Sequence, residues 1–290
     1  MHSRIHRRPD GLSGWGALTG LSAIAALLAL AVYAVWIEPL WIEVKMHRLG
    51  EPRPTVADTS GATRPRLRIA QLSDLHLQSI GRRETRVAEQ IAHLQPDLIV
   101  LSGDVIDRAD ALPVLDAFLH SLQGRPTIAV LGNWEHWSEI DLAQLQSTYA
   151  RHRHATLLVN ASQLYRLGGG QVQVHGLDDH TAGQPQLPQL ERDIPQGRIE
   201  VLVQHSPAWF DEAAAQRTTD RYDLCLAGHT HGGQITLFGL PLWTPSGSGA
   251  YVGGPYPSPL CKMLYVSKGI GTSVLPARLG ARPEIAVFDW

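Results

Sequence analysis

Between residues 67 and 231 the chain repeats one pattern: a short apolar run rich in β-branched residues, ending in a polar cluster that contains Asp, Asn or His. Leu67-Arg68-Ile69-Ala70-Gln71-Leu72 leads into Ser73-Asp74-Leu75-His76. Leu98-Ile99-Val100-Leu101 leads into Ser102-Gly103-Asp104, and Thr127-Ile128-Ala129-Val130-Leu131 into Gly132-Asn133-Trp134-Glu135-His136. Two later runs, Ile199-Glu200-Val201-Leu202-Val203-Gln204 and Leu224-Cys225-Leu226-Ala227, end in His205 and in Gly228-His229-Thr230-His231. Helical spacing of apolar residues over 84–94 and 112–122 places helices between the first three runs. Strand alternating with helix implies βαβ crossovers and a largely parallel sheet, whose carboxyl-end loops gather along one edge. That edge is where Asp74, His76, Asp104 and Asn133 are expected to meet, with His205, His229 and His231 arriving from the second half.

Residues two apart on an extended segment project to the same side. On that reasoning Asp74 with His76, and His229 with His231, each aim a pair of side chains at one metal or at two adjacent ones. Gly103, Gly132, Gly228, Gly232 and Gly233 permit tight turns and close backbone approach around such a centre. A single Asp-x-His is weak evidence. Five strand ends that all finish in ligands suited to Mn, Fe or Zn point to a metal site.

Upstream the pattern changes. Residues 14–37 are apolar without a charge and as a helix extend roughly 35 Å, enough for the hydrocarbon layer of a bilayer. Trp15, Tyr33, Trp36 and Trp41 flank the run as interface aromatics do. The expected organisation is a tail over 1–13, a transmembrane helix over 14–37, a linker over 38–66 and a catalytic domain over 67–290, in the inner membrane as a single-pass protein. A cleaved signal peptide is the rival reading, since Ala29-Leu30-Ala31 has the small-x-small form and Arg7-Arg8 resembles a twin-arginine signal. A buried core helix fits the length and the missing polar face poorly. Arg4, Arg7 and Arg8 before the span nearly balance Lys45, Arg48 and Arg53 after it, so the side of the domain is left open, with the outside preferred.

A formal net charge of -2 gives no drive toward nucleic acid, and none is expected as a partner. Cys225 and Cys261 are too few for a disulfide framework and match no zinc motif; Cys225, inside an apolar run, reads as a small buried hydrophobe. Of 14 histidines, His2, His6, His47, His93, His120, His152 and His154 read as surface residues. Asp107 is either a helix cap or an acceptor behind a ligand, and Asp178-Asp179 is a loop rather than a ligand pair. Gly168-Gly169-Gly170 is a hairpin turn, since no Lys-Ser or Lys-Thr follows to make a nucleotide loop.

With Asp74-Leu75-His76, Gly103-Asp104, Gly132-Asn133, His205 and Gly228-His229-Thr230-His231 in this order, the region 67–290 resembles the calcineurin-like metallophosphoesterases. Gly228-His229-Thr230-His231-Gly232-Gly233-Gln234, with the tail motifs Ser267-Lys268-Gly269-Ile270-Gly271 and Arg282-Pro283-Glu284-Ile285, is similar to the membrane-associated branch that includes bacterial phosphodiesterases and UDP-2,3-diacylglucosamine hydrolases of lipid A biosynthesis. The resemblance implies an α/β four-layer sandwich, two mixed β-sheets flanked by helices. It implies two divalent ions (Mn, Fe or Zn), with Asp74, His76 and His231 on the first, Asp104 bridging, and Asn133, His205 and His229 on the second. Such a pair activates water and neutralises charge in hydrolysis of a phosphoester. The expected substrate is lipid-linked or nucleotide-linked and lies at the membrane. The alternatives are a broad-specificity phosphodiesterase or phosphomonoesterase at the cell envelope, or a non-catalytic phosphate-lipid binding module. One departure stands out: many members of the family carry histidine directly after the motif asparagine, where this chain has Trp134. His136 then becomes the candidate catalytic acid or orienting residue, beside Asn133 and Asp104.

Overall fold

Strands β4 (Arg68–Leu72), β5 (Leu98–Ser102) and β6 (Thr127–Val130) are almost wholly buried, which explains their near-continuous apolar sequences: a parallel strand covered on both faces has no polar side. The computed structural model describes residues 13–49, 56–57, 63–64, 67–168, 170–187, 194–216 and 222–290. Residues 1–12 of the expected tail, most of 50–66 and Gly169 lie outside the described residues.

The remaining strands are β1 (Glu43–Arg48), β2 (Val56–Ala57), β3 (Thr63–Arg64), β7 (Ala155–Leu157), β8 (Ala161–Leu167), β9 (Gly170–Gly176), β10 (Arg198–Val203), β11 (Leu224–Ala227), β12 (Thr236–Leu237), β13 (Leu240–Pro241), β14 (Gly254–Tyr256), β15 (Leu264–Val266) and β16 (Glu284–Asp289). One six-stranded sheet has the order β1-β16-β4-β5-β6-β7 and the other β14-β15-β11-β10-β9-β8. Both are mixed: β16 runs antiparallel to β4, and β8 and β14 run antiparallel to their neighbours. β2 with β3, and β12 with β13, form small hairpins.

Side-chain alternation sorts three cores. Ile69, Val100 and Ile128 of the first sheet meet Val174, Val203 and Leu226 of the second. The opposite face of the first sheet, with Leu72, Leu101 and Leu131, packs on α2 (Arg82–Leu94), α3 (Leu112–Ser121) and α5 (Leu142–Ala150) through Val87, Leu115, Phe118 and Leu145. The opposite face of the second sheet, with Leu202 and Cys225, packs on α6 (Ala208–Gln216) through Trp209 and Phe210. Helix, sheet, sheet, helix is the expected four-layer sandwich. Phe288 is fully buried between the sheets, and its truncation to Ala costs about 3–5 kcal/mol.

Three expectations change. Residues 43–48, read as linker, are the edge strand β1, paired in parallel with β16 from Glu43 opposite Glu284 to Arg48 opposite Asp289. The physical reason is the unpaired edge of β16, whose backbone groups β1 satisfies. Cys225 is buried as expected but is disulfide-bonded to Cys261, with the Cα atoms 5.9 Å apart. The ring of His47, expected at the surface, packs on Tyr265 at 4.7 Å.

Helix α1 (Ser13–Val32) continues through a π turn (Tyr33–Ile37) and a 3-10 turn (Glu38–Leu40). The stretch Thr19–Leu40 is long and apolar enough to cross a membrane; it is exposed through Val32 and buried at Ala34, Glu38 and Pro39. Its foot is fixed to the domain: the Arg278 amide donates to Ala34 O at 2.9 Å, and the Ala281 amide to Glu38 Oε1 at 2.8 Å.

Candidate metal centre

The carboxyl ends of β4, β5 and β6 in one sheet and of β10 and β11 in the other meet at a single edge. Backbone hydrogen bonds lock these loops together: Asp74 N to Gly103 O at 3.1 Å, His76 N to Asp104 O at 3.0 Å, and Gly228 N to His205 O at 2.9 Å. Asp74, His76 and His231 form one buried cluster, and Asp104, His205 and His229 a second. Asn133 joins the second through its Oδ1, 2.8 Å from His229 Nδ1. Asp104 also reaches toward the first, with Oδ2 3.9 Å from His76 Nε2 and 3.1 Å from His205 Nε2. The structure thus brings all seven expected positions together.

They do not converge by strand alternation. Asp74, His76, Asp104, His229 and His231 all have φ between 46° and 72°, a left-handed region that non-glycine residues enter at a cost of order 1–3 kcal/mol each. The pairs lie past the ends of β4 and β11, in turns rather than extended chain. His229 and His231 accordingly fall in different clusters. Gly132 is required by contact, since a Cβ there falls on the Asp104 carboxylate.

Hydrogen bonding fixes which ring nitrogens face inward. A carbonyl only accepts, so His205 Nδ1 donates to Ser102 O at 2.7 Å and His229 Nε2 donates to Ser246 O at 2.7 Å. His76 Nδ1 donates to Asp107 Oδ1 at 2.5 Å, so Asp107 is an acceptor behind His76. The inward atoms are then His205 Nε2, His229 Nδ1 and His76 Nε2, each a lone pair when its ring is neutral. They face other acceptors: Asp104 Oδ2 at 3.1 Å, Asn133 Oδ1 at 2.8 Å and His231 Nε2 at 3.1 Å. His205 Nε2 is buried without a hydrogen bond. Lone pairs converging on lone pairs are repulsive unless a cation lies among them, so the donor set fits divalent metal, the oxygen-plus-imidazole mixture suiting Mn, Fe or Zn.

Burial pulls His205 and His76 down, but Asp104 beside the first and Asp107 beside the second outweigh it and raise both above the ordinary imidazole range, so the clusters draw positive charge in among their carboxylates. Burial raises the Asp74 carboxyl above its usual range, with Asp104 adding to the rise and His205 opposing it. Burial also pushes Asp104 up, but His205 outweighs it and brings Asp104 down to about 2. His231 is pulled well below the ordinary imidazole range by burial and by the positive His76 and Arg278 nearby. It stays neutral, the form in which an imidazole can bind a metal.

Two supporting residues, Glu135 and Arg278, were not picked out from sequence. Glu135 accepts from the amides of Gly132 (2.9 Å), Asp104 (3.1 Å), Val105 (2.6 Å) and Ile106 (3.2 Å), and burial raises its pKa to about 7. Its signal was a Glu at the third position of a short helix, α4 (Asn133–Trp137), where a side chain caps the preceding amides. Arg278 is fully buried and donates to Gly271 O (2.6 and 2.8 Å), Ala281 O (2.8 Å) and His231 O (3.3 Å). Asp178, read as a loop residue, holds His136: Nε2 to Oδ1 is 2.7 Å. Trp134 sets its edge against His76, with ring centroids 6.0 Å apart.

Residues 67–233 match the family model described as calcineurin-like phosphoesterase. A metallophosphoesterase of Bacillus subtilis, YkuE, is 30% identical over 264 residues, spanning 88% of both chains. The phosphodiesterase YaeI of Escherichia coli is 28% identical over 93% of this chain and 97% of its own. A bovine transmembrane protein with a metallophosphoesterase domain is 28% identical over 84% of this chain and 55% of its own. With the fold, the paired clusters and these matches in agreement, the chain belongs to the calcineurin-like phosphoesterases and is a hydrolase of phosphoester bonds.

Proposed function

We propose that the chain is a dinuclear metal-dependent phosphodiesterase that acts on a phosphoester held at a membrane. The carrying observation is the pair of buried clusters that share the Asp104 carboxylate, each offering inward lone pairs whose other ring nitrogens are already committed. Asp74, His76 and His231 would hold one ion, Asn133, His205 and His229 the other, and Asp104 both. When bound, the ions supply Lewis acidity and neutralise charge on the phosphoryl group. Asp107, Ser102 O and Ser246 O each take the outer N–H of a ring and so fix the tautomer that aims His76 Nε2, His205 Nε2 and His229 Nδ1 inward. Trp134 walls the His76 side. His136, its Nε2 committed to Asp178, serves as an orienting group with Asn133 beside it on α4.

The apolar stretch Thr19–Leu40 supports a substrate at the membrane, and the resemblance makes UDP-2,3-diacylglucosamine the first to test. A second reading, a broad-specificity phosphodiesterase on the outer side of the membrane, is favoured by the Cys225–Cys261 disulfide, because disulfides persist in oxidising compartments. The test is hydrolysis of UDP-2,3-diacylglucosamine beside bis-p-nitrophenyl phosphate, using detergent-purified protein stripped of metal and then given Mn. Metal-dependent cleavage of both with the lipid preferred supports the first reading. Cleavage of the generic diester alone supports the second, and no cleavage with metal bound overturns both.

A further inference from the structure

Five residues beyond the His231 position the chain turns through β12 and β13 in a hairpin whose loop is Phe238-Gly239. Both loop residues have positive φ, 52° and 81°. A two-residue loop of this kind selects Asn-Gly or Asp-Gly in water, because the first position is strained for a larger side chain and sits at an exposed tip. Here Phe238 takes that position and is 95% exposed, with Leu237, Leu240 and Leu242 exposed around it. A neighbouring turn repeats the anomaly: Val274, β-branched, has φ 63° and is 87% exposed, beside exposed Leu275. Neither turn geometry nor packing calls for these side chains, and an apolar tip in a strained turn is doubly costly in water.

The two tips are tied together and to the foot of α1. Gln234 donates through Nε2 to Ser273 O and Leu275 O, both at 3.0 Å, and its Oε1 accepts from Ser273 N at 2.9 Å. The Thr236 amide bonds Leu279 O at 2.7 Å, and one residue earlier the Arg278 amide bonds Ala34 O at 2.9 Å. The apolar tips therefore share one braced segment with the last turns of the candidate membrane helix, a few residues from a metal-site histidine.

We propose that the Phe238 tip and the Val274–Leu275 turn form a second membrane-contacting surface, which lies in the lipid interface and turns the mouth of the metal site toward the bilayer. The occupant is the lipid surface itself, because the only long apolar helix among the described residues ends against the same segment. This deepens the reading of a membrane-held substrate and rests on it for the reaction, though not for the contact. Burial of two such side chains is worth at least tenfold in partitioning.

The full-length chain is reconstituted into phosphatidylethanolamine–phosphatidylglycerol vesicles with brominated acyl chains, carrying an environment-sensitive fluorophore at Phe238→Cys or Val274→Cys. Gln123→Cys, exposed just before β6 and so at the opposite end of the strands, is the control. Cys225 and Cys261, bonded to each other, do not take the label. Turnover of bis-p-nitrophenyl phosphate with Mn is read in the same vesicles. Quenching at 238 and 274 but not at 123 is expected. Unquenched labels at 238 and 274 with turnover intact overturn the contact and leave the proposed function standing, whereas quenching without turnover does the reverse. Equal quenching at all three positions, or a blue shift without quenching that grows with protein density, overturns it in favour of adsorption or of a second copy respectively.

Discussion

Glu135 Oε2 accepts the amide hydrogen of Asp104 at 3.1 Å while Oε1 takes those of Val105 and Ile106 at 2.6 and 3.2 Å. One carboxylate from α4 thus shapes the loop that presents Asp104, the proposed shared ligand, from the end of β5. Glu135→Ala leaves these amides and that of Gly132 without an acceptor inside the protein. A loss of about 2–4 kcal/mol is expected in denaturant unfolding, with weaker metal uptake. Unchanged stability would show that water takes over the amides.

Asp104→Ala is expected to bring turnover to background and to lower bound metal by at least one ion per chain, because Asp104 Oδ2 is a carboxylate oxygen 3.1 Å from His205 Nε2 in one cluster and 3.9 Å from His76 Nε2 in the other. Metal analysis on the purified variant checks it directly. Full activity in this variant removes the dinuclear model.

Chelation should lower the melting temperature. The buried clusters set acceptors against acceptors, and a bound cation relieves them. Restoring Mn at 100 times its dissociation constant returns about 2.7 kcal/mol. Equal melting curves with and without chelator would mean the clusters are satisfied by protons.

His136 and Asp178 give a pH signature. The Asp178 hydrogen bond holds the His136 pKa above the usual imidazole range. Burial raises Asp178, but the His136 bond outweighs it and leaves Asp178 below the usual carboxylate range. A raised His pKa stabilises fully below the unfolded value and fades as pH climbs through the folded one. A depressed Asp pKa stabilises above its unfolded value and fades as pH falls through the folded one. His136→Gln should therefore cost about 1 kcal/mol near pH 5–6 and progressively less in alkali. A cost that grows with pH contradicts the ion pair. Its effect on kcat should stay smaller than that of Asp104→Ala, and equal losses would give His136 the proton-donating role.

Gly228→Ala tests the crowding at the end of β11. An added Cβ meets Ser73 Oγ and comes within 2.6 Å of Asp74 Oδ2. The variant should fold, since the strand itself is untouched, yet bind less metal at the Asp74 cluster. Wild-type metal content would show that the Gly228 turn has room to shift.

Much of this was legible in the chain because metal-site chemistry is conspicuous: few residue types supply the lone pairs, and the strand pattern placed Asp74, His76, Asp104, Asn133, His205, His229 and His231 at one edge. The layers followed from apolar periodicity in the same way. What escaped was set by distant partners. Glu43-Val44-Lys45-Met46-His47-Arg48 became a strand because β16, some 240 residues on, left an edge to fill. Cys225 in β11 found Cys261, 36 residues on in the loop before β15. The left-handed turns that part His229 from His231 have no signature in His-x-His spacing, and only the packed loops show why they are tolerated.

The pairing of β1 with β16 decides where this chain can be cut and survive. Proteolysis after Ala31, as a processing signal there would direct, leaves Glu38 on Ala281 and the whole of β1 in the sheet. Cleavage within 50–66 instead strips the border strand and bares a row of amide and carbonyl groups along residues 284–289. Release of the domain by the second route is therefore an invitation to self-association, while the first yields a shed form that keeps its shape.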